Sequence, residues 1–339
     1  MKKDSNGCRK ESVPDKMSEK IRVLITGATG FVGGHLIRAL EEEGRPGFEI
    51  YGTSYPDAPP PSGNKLFFLD LRSGKEVLKL MGDIRPDWIF HLAAISNVRK
   101  SWQMRSETIE TNVLGTHNLL EAVRQDAPTA KMLFISSSDV YGFGTSPSEA
   151  LAEDSPLEAV SPYAYSKVAG EMLCGFYERV ENIDIVIARP FPHTGPGQTE
   201  DFVCSDWARQ VAQIERGDIA PILRVGNLDV RRDFCDVRDV VRAYVLLLRK
   251  GRRGEPYNIC SGKAIALREI LDFLVNETAS GRPISIEIDP AKLRKVELPI
   301  QLGSSRQITK DTGWLPTMSI EETLLDLLSF WRRRLEDGT

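Results

Sequence analysis

The chain of 339 residues predicts an α/β fold, a doubly wound parallel sheet with a smaller, interleaved C-terminal lobe. Three observations predict it. A short β-branched run, Ile21 to Ile25, leads directly into a glycine-spaced turn and an amphipathic stretch ending at Glu43. Strand-like and helix-like segments then alternate as far as Ala188, the pattern of a parallel sheet covered on both faces. After Arg189 the alternation loosens into short elements without any internal repeat.

Composition excludes several classes. Hydrophobic residues at 41% and charged residues at 27% suit a globular protein. A net charge of -4 gives no general affinity for nucleic acid or anionic membranes. No uncharged apolar run is long enough to span a bilayer. Residues 1–19 are polar and lack the apolar segment of a secretory signal, so a disordered extension on a cytoplasmic protein is expected. The five cysteines (Cys8, Cys174, Cys204, Cys235 and Cys260) show no paired spacing, which predicts reduced thiols. The four histidines are scattered, and no metal site is expected.

The first strand and the turn Thr26-Gly-Ala-Thr-Gly-Phe-Val-Gly33 have the context of a dinucleotide fingerprint, here spaced G-x-x-G-x-x-G. Gly27 permits the tight turn, Gly30 lets the backbone approach a pyrophosphate, and Gly33 lets the helix pack on the strand. The anion then rests on the helix N-terminus. Phe48 to Ser54 reads as the second strand. The residues after it usually choose the cofactor: an acid holds the ribose 2′-hydroxyl, and a base accepts a 2′-phosphate. Thr53, Ser54 and Tyr55 supply neither, although Asp57 is close. Pro59-Pro60-Pro61 and Gly63 mark a loop. Leu66 to Leu69 is a strand ending in Asp70-Leu71, and Ser73 to Met81 a helix. Trp88 to Leu92 is a strand opening into Ala93 and Ala94, small enough to admit a flat cofactor and equally suited to tight packing.

A helix is expected from about Glu107 to Val123, with Asn112 inside it. Lys131 to Ile135 is a strand ending in Ser136-Ser-Ser-Asp-Val-Tyr-Gly142, where open α/β sheets bind ligands. The stretch Ser161-Pro-Tyr-Ala-Tyr-Ser-Lys167 opens a helix, with Ser161 as cap and Pro162 at the first position. Tyr163 and Lys167 then share one face, one turn apart. A free phenol has a pKa near ~10. An ammonium beside it is expected to favour the phenolate and lower that value. Tyr165 points elsewhere. The same spacing also arises by chance on solvated helices.

Ile183 to Ala188 is a strand, Pro190 to Gln198 a rigid loop, and Phe202 to Arg216 a helix. Arg224 to Asn227 is extended, Arg231 to Asp236 leads into a helix from about Val237 to Leu248, and Tyr257 to Cys260 is a strand. A further strand lies near Ile284 to Ile288, and Ser319-Ile-Glu-Glu322 is a capping box. The expected division is 20–190 for a Rossmann-type dinucleotide-binding domain, to which about 226–260 returns, and 191–339 mainly for a substrate-binding lobe.

T-G-A-T-G-F-V-G, S-S-S-D-V-Y-G and Y-A-Y-S-K, in this order, resemble the extended short-chain dehydrogenase/reductases. The resemblance implies a catalytic group of Ser137, Tyr163 and Lys167. Ser137 would hydrogen-bond the substrate oxygen, Tyr163 would move the proton, and Lys167 would bind the nicotinamide ribose and tune Tyr163. It also implies an NADP or NAD cofactor held by Gly27, Thr29, Gly30, Phe31, Val32 and Gly33. Thr53, Ser54, Asp70, Leu71, Leu92, Ala93, Ala94, Asn112 and Pro190 complete that set with Tyr163 and Lys167.

The later segments H-L-A-A-I-S-N-V-R-K-S-W, F-P-H-T-G-P-G-Q, R-V-G-N-L-D-V-R-R-D-F-C-D-V-R-D-V and L-R-K-V-E-L-P are similar to GDP-4-keto-6-deoxy-D-mannose reductases, which form GDP-D-rhamnose. They imply a GDP-linked sugar bound through Ser96, His193, Asn227, Arg232, Arg294 and Glu297. Arg232 would sit on the diphosphate, and Arg294 and Glu297 around the nucleoside. A surface salt bridge is the other reading of Arg294. Pro192 stands where these enzymes usually carry Asn, Lys295 replaces a usual Pro, and Tyr55 replaces an Arg that often follows Thr-Ser. NADPH is therefore expected to be only modestly preferred, through Thr53 and Ser54. A related GDP-mannose 4,6-dehydratase, or another nucleotide-sugar epimerase or dehydratase, is the rival reading. Dehydratases carry a Glu where Asp139 stands, which makes Asp139 a further candidate acid-base group. A non-enzymatic dinucleotide-binding regulator is the remote one, and such proteins commonly lose the Tyr or Lys. Family members often dimerise through the helices near 107–123 and 161–180, so a homodimer is expected.

Overall fold

A computed structural model describes residues 20–43, 47–55, 65–143, 149–281, 283–293 and 295–338. The N-terminal stretch 1–19, Asp57, the proline loop at 59–61 with Gly63, and Arg294 lie outside the described residues.

The first half builds β1 (Ile21–Thr26), α1 (Phe31–Glu42), β2 (Phe48–Ser54), β3 (Lys65–Phe68), α2 (Gly74–Ile84) and β4 (Trp88–His91). Then come α3 (Val98–Gln103), α4 (Arg105–Ile109), a π-helical turn (Glu110–Leu114), α5 (Gly115–Asp126), β5 (Lys131–Ile135), α6 (Pro162–Val180) and β6 (Asp184–Pro190). The second half adds β7 (His193–Thr194), α7 (Val203–Arg216), β8 (Ile222–Val225), β9 (Arg231–Asp233), β10 (Cys235–Asp236), α8 (Val237–Lys250) and β11 (Pro256–Ile259). It closes with β12 (Ala264–Ala266), α9 (Leu267–Asn276), β13 (Ser285–Ile288), β14 (Ile300–Gln301), α10 (Arg306–Thr312) and α11 (Ile320–Glu336).

Seven strands form one parallel sheet in the order β11-β6-β5-β4-β1-β2-β3. Side chains alternate across it, as strand geometry requires. Val23 and Ile25 of β1, with Leu133 and Ile135 of β5, face a core closed by α1, α8 and Trp314. Leu24, Met132 and Phe134 face the opposite core, closed by α2, α5 and α6. Strand order reverses between β1 and β4, so a crevice opens past their carboxyl ends. The return of the chain to this sheet consists of α8, packed beside α1, and β11, paired with β6. The lobe has its own core, in which Trp207, Leu223, Leu271 and Trp331 are buried between α7, α9 and α11.

One element differs from the sequence expectation. The helix expected from about Glu107 begins at Arg105 and runs to Asp126, with its hydrogen bonding loosened into a π turn around Asn112. Such turns bulge a helix to place one side chain, often near a functional site. β3 is an edge strand, and Phe68 on it is exposed. The Ser161 cap, with its hydroxyl accepting from Ala164 N and Pro162 in the first turn, is present as expected. So is the Ser319–Glu322 capping box.

Candidate active site

The glycine turn is fixed by backbone demands. Gly27 has φ +71°, and a Cβ there would lie 2.9 Å from the backbone of Ala93. Ala93 thus packs against the turn, and its amide donates to Thr26 Oγ1 (3.2 Å). A Cβ on Gly33 would lie 2.5 Å from the Ala28 carbonyl oxygen, so only glycine lets α1 come this close to the turn. Gly30 leads into α1, whose N-terminus has no side-chain cap. Its free amides beside Phe31 and Val32 suit a diphosphate. These features fit a dinucleotide.

At the end of β2, Thr53 and Ser54 are both buried and already engaged. The Thr53 hydroxyl accepts from Gly27 N (3.4 Å). The Ser54 hydroxyl accepts from Thr29 Oγ1 (3.1 Å) and donates to the Tyr55 carbonyl (2.8 Å). Past β3, Asp70 takes a bidentate pair from Arg72, while Leu71 is buried. Leu92 and Ala94 are half-buried at the mouth of β4, and Pro190 is buried at the end of β6.

The catalytic candidates come from two elements. Ser137 follows β5 and caps a short turn by accepting from Asp139 N (3.1 Å). Gly142 closes that turn at φ +57°, and a Cβ there would meet the Glu158 carbonyl oxygen at 1.8 Å. Tyr163 and Lys167 are both buried on one face of α6. The Lys167 ammonium donates to the Ile135 carbonyl (2.7 Å) and lies 5.9 Å from the centre of the Tyr163 ring.

The expected lowering of the Tyr163 pKa is corrected here. Burial pushes the phenol upward, the Asp139 carboxylate adds to the rise, and only the Ser137 hydrogen bond opposes it. Lys167 is instead lowered to about 8 by burial. The ammonium favours the phenolate, but the cost of burying a phenolate is larger.

Buried networks lock this face. Asn112 spends both amide hydrogens, on the Ile95 carbonyl (3.1 Å) and Ser166 Oγ (2.9 Å), and accepts from Ile95 N (2.8 Å). Ser166 in turn donates to the Tyr163 carbonyl (2.7 Å). The Thr116 hydroxyl hydrogen goes to the Asn112 carbonyl (2.6 Å), so His91 Nε2 must donate to Thr116 (3.0 Å). His91 Nδ1 therefore accepts from Thr26 (2.8 Å). Burial keeps this ring neutral, with its pKa lowered to about 3. One chain of bonds thus runs from the glycine turn to the helix of Tyr163.

Two residues missed in the sequence complete the other flank. Glu171 accepts from Arg189 Nε (2.9 Å) and Nη2 (2.7 Å) and from Ser136 Oγ (2.5 Å). Arg189 Nη1 also reaches Tyr141 Oη (2.9 Å), which donates to Asn258 (2.6 Å). The signal was the spacing of Tyr163, Lys167 and Glu171, four apart on one helical face.

In the lobe, Arg232 and Glu297 are brought together as an ion pair (2.8 Å), and Arg232 also donates to the Leu298 carbonyl (2.7 Å). Asn227 accepts from Asp229 N within its own loop (2.9 Å), and Ser96 is exposed. His193 stacks on Phe31 at 6.3 Å and binds the Phe191 carbonyl (3.0 Å). Lys295 lies 4.7 Å over the Trp102 ring. A cation in place of the usual Pro thus links the lobe to the dinucleotide domain.

A family model described as GDP-mannose 4,6 dehydratase matches residues 24–327. The chain belongs to that family. GDP-6-deoxy-D-mannose reductase of Pseudomonas aeruginosa is 36% identical over 93% of this chain and 99% of its own. The structure of RMD from Pseudomonas aeruginosa complexed with NADPH superposes with a TM-score of 0.81 at 34% identity, covering 93% of this chain and 100% of that one. GDP-mannose 4,6-dehydratase of Yersinia enterocolitica is 27% identical over 91% of this chain and 93% of its own. Within the GDP-mannose 4,6 dehydratase family, the doubly wound sheet and the nicotinamide-dinucleotide turn described above are this chain's versions of shared parts.

Proposed function

We propose that the protein reduces the 4-keto group of GDP-4-keto-6-deoxy-D-mannose with a reduced nicotinamide dinucleotide, giving a GDP-6-deoxyhexose, GDP-D-rhamnose. One arrangement carries the chemistry: the buried Tyr163 phenol lies beside Ser137, in place to give a proton to a carbonyl oxygen held there. The 36% identity to a GDP-6-deoxy-D-mannose reductase supports the same reading.

The bound nicotinamide supplies the hydride. Ser137 polarises the C4 carbonyl by a hydrogen bond, and Tyr163 hands its proton to the alkoxide oxygen as charge develops there. Lys167, largely protonated at neutral pH, then offsets the phenolate that remains. Arg232 binds the diphosphate and Glu297 a ribose hydroxyl, their mutual pair opening to take the ligand. Ser96, Asn227, His193 and Arg294 complete that lobe. Asn112 acts by positioning, since both its amide hydrogens are committed to Ile95 and Ser166.

The dehydratase reading has one observation in its favour: the Asp139 carboxylate is close enough to raise Tyr163. Elimination from C5–C6 needs a base with longer reach, and an offset of about 1 Å costs on the order of 10²-fold in rate. A purely regulatory dinucleotide-binding role leaves the Ser137, Tyr163 and Lys167 group without a use.

The active form is a cytoplasmic homodimer. Tyr165, Met172, Phe176 and Val180 form an exposed stripe along α6, beside exposed Ile109 and Leu114. A cavity of about 330 Å³ between Trp102, Ile109, Pro162 and Tyr165 continues that face. Apolar side chains at this spacing suit helix packing against a second copy. A binding screen of GDP-, UDP- and dTDP-sugars, followed by turnover of the 4-keto sugar, tests the proposal. Preference for UDP- or dTDP-sugars, or no turnover, would refute it.

A further inference from the structure

We propose that Arg72, arriving from the loop after β3, is the residue that grips a 2′-phosphate on the cofactor. The inference rests on the nicotinamide-dinucleotide reading and deepens it. Tyr55 leaves β2 without a neighbouring base in sequence, and the hydroxyls of Thr53 and Ser54 are turned inward. The fold supplies a cation there by another route. Ser54 and Phe68 are register partners, and Leu69 N donates to the Ser54 carbonyl (3.0 Å). The Asp70–Arg72 loop therefore leaves its strand beside the point where Tyr55 leaves the second one. The Arg72 guanidinium crosses the gap: Nη2 donates to Tyr55 Oη (3.0 Å), and its carbon lies 5.8 Å from that ring's centre.

The remaining donors fit the role. Nε and Nη2 are held by Asp70, at 3.0 and 2.7 Å. Nη1 is 3.8 Å from the Glu110 carboxylate, beyond hydrogen-bond reach, and has no closer acceptor among the described residues. Nη1 thus keeps hydrogens to give on a guanidinium that Nη2 anchors at Tyr55, and a guanidinium is suited to a phosphate. Asp70 also limits the effect. Its carboxylate, held well below its usual pKa by the Arg72 hydrogen bonds, cancels part of the cation's field. A modest preference for the phosphorylated cofactor follows, rather than an absolute one.

The test is calorimetric binding of two fragments, 2′,5′-ADP and 5′-ADP, to the full chain. Wild type is expected to bind 2′,5′-ADP more tightly. Arg72→Ala should weaken 2′,5′-ADP by about tenfold or more and 5′-ADP by less than about threefold, and Arg72→Lys should fall between. Equal losses for both fragments, or no loss for either, overturn the proposal. If wild type binds both fragments equally, Arg72 is wrong and the cofactor reading stands. If it binds neither, the cofactor reading fails with it.

Discussion

Replacing Glu171 by Gln tests the network behind the catalytic helix. The Glu171 and Arg189 side chains are 7% and 5% exposed and joined at two points. The amide still accepts a hydrogen bond, but it leaves the buried Arg189 charge without its paired carboxylate. Breaking a buried pair from one side costs about 3–5 kcal/mol. With an unfolding entropy of about 2.1 cal/mol/K per residue over 339 residues, that lowers Tm by about 4–7 °C. The turnover number should fall as well, because Ser136, held by Glu171, precedes Ser137. Calorimetry at pH 7 reads the stability, and NADPH oxidation at saturating substrate reads the turnover. A double change, Glu171→Leu with Arg189→Met, removes both charges and should recover most of the lost stability. A Tm within about 1 °C of wild type for Glu171→Gln would refute the reasoning.

Three further outcomes are expected. Tyr163→Phe should lower turnover by ~10²–10⁴ while cofactor and nucleotide-sugar binding persist; retention of a tenth of the rate or more would remove Tyr163 from the chemistry. Turnover should decline as pH rises through about 8, because Lys167, lowered to that value by burial, loses the charge that offsets the phenolate. A flat profile to pH 9.5 contradicts that role. Gly142→Ala should destabilise by more than the roughly 1–3 kcal/mol of a sparsely populated positive-φ backbone, since the new Cβ meets the Glu158 carbonyl oxygen. An unchanged denaturation midpoint would show that the turn yields freely.

The parts of this site that lie within one short segment were legible in the sequence. The glycine turn after β1, the serines after β5 and the Tyr163–Lys167 pair each carry their geometry in local spacing. What was not legible depends on distant parts of the chain meeting. Arg189 reaches Glu171 from a strand, and Arg72 reaches Tyr55 from the next loop, so neither contact lies within one element. The direction of the Tyr163 shift failed for a related reason: spacing supplied the ammonium, and only the fold supplied the burial. The π turn at Glu110–Leu114 has no signature in propensity, because it answers the fit of Asn112 against Ile95 and Ser166.

Cofactor stoichiometry tests the central claim most directly. A reductase oxidises one reduced nicotinamide for each keto sugar consumed, whereas a 4,6-dehydratase returns its hydride and uses none. Absorbance at the reduced nicotinamide band, read beside the nucleotide-sugar products, separates the two. The account predicts one NADPH or NADH oxidised per GDP-4-keto-6-deoxy-D-mannose consumed and no reaction of GDP-D-mannose. Conversion of GDP-D-mannose to its 4-keto-6-deoxy product with the nicotinamide absorbance unchanged would contradict it and make Asp139 a catalytic residue.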